Sequence, residues 1–246
     1  MAEDPIKLFA SRAERYPQPT EADIAQGAAR AALAAIPVIG GPITEVLSLV
    51  LAPAVARRRD QWLKELADAL DQLEAKAEGF RVENLAQNEE FVSAAIQITR
   101  SVISTHKQEK REALRNALLN IALGRAPNED MQQMFLSYLD SLTGWHIRIL
   151  AFFRNPQEAL ENAAKPTKAY QGPPNFYMGS PAQVMERMYP ELKGQQAFYD
   201  QVVRDLFTRG LFSSDSLHGM MTVQGAIAKR TSDKGDEFLA FIANPV

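Results

Sequence analysis

The chain carries three histidines, His106, His146 and His218, and histidine is the side chain best suited to move protons or bind metal near neutral pH. They lie far apart in the sequence, and none stands beside a carboxylate at the spacing of a metal site. A histidine in the setting Trp145-His146-Ile147 more commonly lies in a core or an interface, donating to a backbone carbonyl. We therefore expect no metal site and no cofactor.

Nucleophilic catalysis has no clearer signature. The sequence contains no cysteine and no Gly-x-Ser-x-Gly motif. Gly40-Gly41 lacks the Gly-Lys-Ser/Thr pattern of a phosphate loop and is typical of a turn between helices. The sequence thus predicts no enzymatic activity, although an enzyme whose site forms by tertiary contact would show convergent acids or His146 in a polar pocket.

Three consecutive arginines, Arg57, Arg58 and Arg59, follow an apolar run over residues 31–56 whose one charge is Glu45. In a membrane interpretation they anchor at lipid headgroups while the run inserts as a hairpin. In the simpler interpretation they end a core helix and pair with Asp60 or with neighbouring helices. The core interpretation is favoured, because prolines and glycines interrupt the run and a central acid costs about 2.5–3.5 kcal/mol on insertion. Membrane contact is then conditional.

A second basic set, near the C-terminus, would suit nucleic acid. It comprises Arg204, Arg209, Lys229 and Arg230. Aspartates on the same predicted helix leave its face nearly neutral, and the whole chain has a net charge of −3, so the sequence supplies few phosphate contacts. A protein partner or self-association is therefore favoured over nucleic acid.

The elements that would position these residues are helical. Thr20-Glu21-Ala22-Asp23 has the form of a capping box and predicts a helix from Glu21 to about Ile36. A second helix is predicted from Pro42 to about Lys76, kinked at Pro53. Further apolar stripes at spacings of three and four predict more helices. These stripes are Trp62, Leu63, Leu66, Leu70 and Leu73; Phe91, Ala95, Ile98, Val102 and Ile103; Leu114, Ala117, Leu118 and Ile121; and a run from Met131 to Phe153.

The composition and the positions of proline and glycine predict how the chain is divided into domains. With 46% hydrophobic and 23% charged residues, 246 residues suffice for a well-buried core. The predicted fold is mainly α: an arm over residues 1–20, a bundle over 21–164, a linker over 165–181 rich in proline and glycine, and a winged-helix-like domain over 182–246. The absence of cysteine and of a signal-peptide core in the first 20 residues predicts a cytoplasmic location.

The fragments IPVIGGPITEVLSLV, THKQEKREALRNALLNIAL and LDSLTGWHIRILAFFRNP, with the ending TSDKGDEFLAFI, resemble a group of uncharacterised bacterial cytosolic proteins. The resemblance covers most of the chain from about Glu21 and implies a helical bundle joined to a small winged-helix-like tail, with no assigned reaction. The general pattern of an apolar run followed by amphipathic helices also resembles the helical bundles of bacterial abortive-infection and cell-death proteins.

These observations predict a non-enzymatic interaction or effector protein of the stress or phage-defence type. Its apolar hairpin would be sheltered in the bundle, and its tail would dock a partner. The second hypothesis is a DNA-binding regulator that uses the C-terminal basic set and oligomerises through the bundle.

Overall fold

The computed structural model describes residues 42–164 and 178–245, with side chains described over 51–163 and 179–245. The chain divides into two compact units, Met1–Glu65 and Leu66–Val246. The predicted arm, the helix from Glu21 and most of the predicted linker lie outside the described residues. The predicted division into bundle, linker and tail stays a prediction.

Helix α1 spans Pro42–Lys76, which confirms the predicted bounds. Pro42 occupies its first position, where a missing N–H costs nothing, and the helix continues through Pro53. Trp62 is fully buried, whereas Leu63, from the same predicted stripe, is 50% exposed. Of the apolar residues preceding the three arginines, Ala52 is buried and Ala54 half-buried. The side chains of residues 42–50 lie outside the described ones.

The described part of the second unit is mainly helical and begins with the end of α1. A 3₁₀ turn, Val82–Gln87, precedes α2. The helices that follow are α2 (Glu89–Ser104), α3 (Gln108–Ala122), α4 (Glu129–Ser141), α5 (Gly144–Arg154) and α6 (Pro156–Ala164). His106 lies in the break between α2 and α3.

Helix ends follow from local chemistry. The Asn88 side chain accepts the Phe91 backbone N–H at 3.0 Å, and two glutamates in the first turn of α2 suit the helix dipole. Residues 131–153 form two helices, whereas the apolar run from Met131 to Phe153 predicted one. Extended backbone at Leu142 ends α4, and Thr143 begins α5.

The remaining chain adds short strands and helices. They are β1 (Met178–Gly179), α7 (Pro181–Met188), the 3₁₀ turn Pro190–Leu192, α8 (Gln196–Thr208), β2 (Met221–Thr222), α9 (Val223–Ala226) and α10 (Asp233–Phe241). Strand β1 pairs antiparallel with β2, and Phe212 bridges to Thr231. Ser180 and Gln183 form a capping box for α7. Ser232 caps α10, whose first residue is Asp233.

The core joins the early and late helices of this unit. Helix α10 packs on α3 and α5, and α8 packs on α5. The Phe135 ring meets Phe238 edge-on at 5.3 Å, and Phe153 meets Phe212 at 5.4 Å. Helix α10 approaches so closely at Gly235 that a Cβ there would lie 2.1 Å from the Leu211 carbonyl oxygen. Only glycine permits that approach, and the docked α10 closes the core around α5 and α8.

Candidate functional site

Two of the three histidines each meet an aspartate of helix α8. Asp205 faces His146 of α5, and Asp200 faces His218, which lies in the loop after α8. Both contacts connect residues distant in sequence, as a tertiary-assembled site would require. The two settings differ sharply in their exposure to water.

The His146 imidazole is almost fully enclosed, with its side chain only 8% exposed. Its Nδ1 accepts the Thr143 backbone N–H at 3.1 Å and lies 2.8 Å from the Thr143 hydroxyl oxygen. Its Nε2 lies 3.4 Å from Asp205 Oδ2. The predicted burial is therefore confirmed, but its partners are a backbone N–H and a carboxylate rather than a backbone carbonyl.

These partners define the tautomer. Since Nδ1 accepts a backbone N–H, the proton of the neutral ring lies on Nε2 and is directed at Asp205. Burial lowers the pKa of His146 below its ordinary value; the hydrogen bond and charge of Asp205 oppose this shift, and Arg209 adds to it. A neutral, oriented His146 thus fastens the start of α5 to α8.

The His218 pair lies at the surface. Nε2 of His218 is 2.7 Å from Asp200 Oδ1 and 3.4 Å from the Gln196 amide nitrogen, and the His218 side chain is 36% exposed. The neighbouring Tyr199 hydroxyl donates to Glu186 at 3.0 Å. Burial and that carboxylate raise the pKa of Tyr199. The surface contacts of His218 with Asp200 and Gln196 tether the loop to α8, and the adjacent Tyr199 is buried.

Beside the His146 site, α5, the end of α7 and α8 bring together a group of side chains that we call the aromatic patch: Trp145, Arg148, Tyr189 and Phe198. The Arg148 guanidinium carbon lies 4.2 Å from the Trp145 ring centroid and 4.9 Å from that of Tyr189. Trp145 meets Tyr189 edge-on at 5.5 Å and Phe198 at 6.4 Å. Phe198 is 41% exposed, so the patch faces solvent.

Two further contacts fix Arg148 within the patch. Its Nη2 lies 3.3 Å from Glu191 Oε1, and its carbonyl oxygen accepts the Tyr189 hydroxyl at 3.4 Å. Burial raises the pKa of Tyr189, partly offset by Arg148. The patch is thus preorganised, with a held cation between two aromatic faces. Sequence reasoning did not find it, although the three-residue spacing of Trp145 and Arg148 places both on one helix face.

The three arginines predicted to meet a membrane or a partner lie in the middle of α1 rather than at its end, and all three are exposed. Arg59 pairs with Asp60 at 3.0 Å, the partner expected in the simpler interpretation. Within the described residues, none of the helices is both long and apolar enough to cross a membrane.

The four basic residues predicted for nucleic acid do not present a common surface of unengaged charges. Arg204 is exposed on α8, while Arg209 donates to the Asp205 carbonyl oxygen at 3.2 Å. Lys229 forms an ion pair with Asp236. Arg230 donates to the Gly225 carbonyl oxygen at 2.7 Å, so it stabilises a loop of the chain itself.

Among residues 51–163 and 179–245, no three His, Asp or Glu side chains are placed so that they could hold a metal ion. Comparison of the chain with protein-family models, with curated proteins and with solved structures gave no match. The resemblance drawn from the sequence fragments therefore stays a prediction, and the geometry of the aromatic patch carries the functional argument.

Proposed function

We propose that the chain acts by protein association rather than by catalysis, and that the aromatic patch is the surface through which it associates. The observation that carries this proposal is Arg148 held between the rings of Trp145 and Tyr189, beside the exposed ring of Phe198. Tryptophan, tyrosine and arginine are the residues that contribute most to protein interfaces.

Preorganisation supports this role. A free arginine side chain loses rotamer entropy when an interface forms, which costs about 0.5–1.5 kcal/mol for each immobilised side chain. Arg148 has already lost much of that freedom, because two rings and Glu191 hold it in place. Binding of a partner to the patch therefore causes little further loss of side-chain entropy at Arg148.

The partner that fits the patch is a second copy of the chain. Arg148 and Glu191 place both signs of charge on one surface, next to the apolar Phe198. A patch with both signs is complementary to itself across a twofold axis, since the cation of one copy can face the anion of the other. The aromatic rings would then meet at the centre.

Sedimentation velocity of the full chain tests this proposal. We expect a concentration-dependent dimer that Phe198→Glu abolishes. The matched control is Phe207→Glu, since Phe207 lies on the same helix at 44% exposure, two and a half turns away. A chain that is monomeric at all concentrations, or a dimer unaffected by Phe198→Glu, would refute association through the patch.

Conditional membrane activity of the hairpin remains the second half of the proposed effector role. The exposed Arg57, Arg58 and Arg59, and the apolar run before them, support it. Dye release from anionic vesicles, with and without acid, is the assay. Absence of release under every condition would remove this half without affecting the dimer.

The winged-helix-like tail is likewise a proposal. Two successive helices, α7 and α8, followed by the Phe212–Thr231 bridge are the features that support it. Salt-dependent DNA binding that weakens when Arg204 and Arg209 become alanine would favour the regulator hypothesis. A flat gel-shift titration at low salt would eliminate it.

A further inference from the structure

A cavity of about 540 Å³ opens where the loop after α3, the end of α5 and the end of α10 meet. The lining side chains that matter for ligand binding are Arg125, Arg154, Glu237, Pro127 and Pro245; Phe241 also lines the cavity but is only 2% exposed. Small-molecule sites have volumes of roughly 300–1,000 Å³ and combine apolar walls with a few polar groups. This cavity has both properties.

The two arginines are held only loosely by the protein. Arg125 Nη1 lies 3.4 Å from the Pro245 carbonyl oxygen, close to the limit of a hydrogen bond. Arg154 Nε is 3.8 Å from Asp236 Oδ1, a distance too long for a hydrogen bond. Asp236 accepts the Thr231 hydroxyl at 2.6 Å and pairs with Lys229, so other groups satisfy its carboxylate. Both guanidinium groups can therefore bind an anion.

A neighbouring cavity of about 600 Å³ has a different balance of charges, and the difference favours anion binding in the cavity of about 540 Å³. Arg154 lines both, but on the second side Glu158 and Asp236 balance the charges of Arg154 and Lys229. In the first cavity Arg125 and Arg154 face a single lining carboxylate, Glu237. Arg154 also lies 3.8 Å from Asp236, so Arg125 is the cation that the carboxylates of the second cavity do not balance. A ligand with one negative charge can bind Arg125 and reach Arg154.

We propose that the first cavity binds a small organic carboxylate with an apolar body. Arg125 and Arg154 bind the carboxylate, since guanidinium groups match its two oxygens. Pro127 and Pro245 contact the apolar body, and Glu237 limits the site to a single negative charge. Because α3, α5 and α10 all contribute, the ligand also fastens α10 to the earlier helices.

Isothermal titration calorimetry with phenylacetate as the probe tests this site on the full chain. We expect saturable one-to-one binding at millimolar concentration or below, weakened roughly tenfold or more by Arg125→Gln and by Arg154→Gln. Arg204→Gln is the matched control, since Arg204 is an exposed arginine that does not line the cavity. Acetate lacks the apolar body and 2-phenylethylamine lacks the carboxylate, so both should bind more weakly than phenylacetate.

A gain of affinity provides a test that does not depend on removing an arginine. Glu237→Gln removes the opposing charge and should tighten phenylacetate binding several-fold. Three results would overturn the proposal: no saturable phenylacetate binding, equal affinity in all four variants and the unmodified chain, or inorganic phosphate binding as tightly as phenylacetate. The first two would leave the proposed dimer untouched, so the two proposals fail separately.

Discussion

Helix α8 holds two histidines with the same chemistry in opposite environments. Asp205 meets His146, whose side chain is 8% exposed, whereas Asp200 meets His218, whose side chain is 36% exposed. The exposed pair has the shorter contact, 2.7 Å against 3.4 Å. A comparison of distances alone would rank the exposed pair as the stronger.

Solvation reverses that ranking. Water competes for every group of the exposed pair, and such surface pairs contribute about 0–1 kcal/mol. At the His146 ring, which is 8% exposed, water has little access to a nitrogen that loses its partner, and a buried orphaned donor or acceptor costs about 1–3 kcal/mol. The comparison teaches that the enclosed histidine is structural, because its ring is shielded from water whereas that of His218 is not.

The largest expected effect is the loss of each histidine side chain. His146→Ala should destabilise the fold by about 2–3 kcal/mol, because it leaves the Thr143 N–H without its acceptor and opens a cavity. His218→Ala should cost less than about 0.5 kcal/mol. Urea unfolding followed by circular dichroism measures both, and equal losses would break the comparison.

The second prediction concerns pH. The folded pKa of His146 is lowered, so the folded state binds this proton less well than the unfolded state. Stability should therefore be fully present above the unfolded pKa of about 6.5 and should decrease as pH falls from there through the lowered folded pKa. The charged groups facing the ring are Asp205 and Arg209.

Unfolding midpoints measured between pH 7.5 and 5 check this dependence. His146→Gln should flatten the decline in that range. A decline that His146→Gln leaves unchanged would assign the effect to other groups.

A smaller effect should appear in the coupling between each histidine and its aspartate. Double-mutant cycles with His→Gln and Asp→Asn should give about 1 kcal/mol for His146 and Asp205. The same cycle for His218 and Asp200 should give less than about 0.5 kcal/mol. A larger coupling for the exposed pair would show that contact distance outweighs solvation here.

The smallest effects should come from the neutral neighbours of the rings. Thr143→Ala removes the hydroxyl that contacts the His146 ring at the start of α5. This change should lower the free energy of unfolding by about 0.5–1 kcal/mol. Gln196→Ala, beside His218, should stay within about 0.5 kcal/mol. Thermal unfolding of the two variants side by side makes this measurement, and a reversed order would contradict it.

Local chemistry explains which parts of the fold could be predicted. Proline at the first position of α1 marks the start of that helix, and its bounds were predicted correctly. The break between α4 and α5 was missed, because the apolar spacing continues across it. What ends α4 there is the extended backbone of Leu142 and Thr143, together with the Thr143–His146 contact.

Tertiary contacts explain what could not be predicted. His146 and Asp205 are 59 positions apart, and the aromatic patch assembles from α5, the end of α7 and α8. The spacing of residues within a single helix cannot predict these contacts between different elements. The requirement for glycine at position 235 likewise depends on the carbonyl of Leu211, which only the docked α10 encounters.

The end of α10 is closed by side chains that come far earlier in the chain. Asn120 donates to the carbonyl oxygens of Phe241 and Ala243, both at 2.9 Å, and Asn116 donates to that of Ile242 at 3.1 Å. Asn120 is synthesised more than a hundred residues before those acceptors exist. Until α10 has been synthesised and has docked on α3, the Asn120 amide lacks the two carbonyls of α10 and its following loop that it binds in the folded chain.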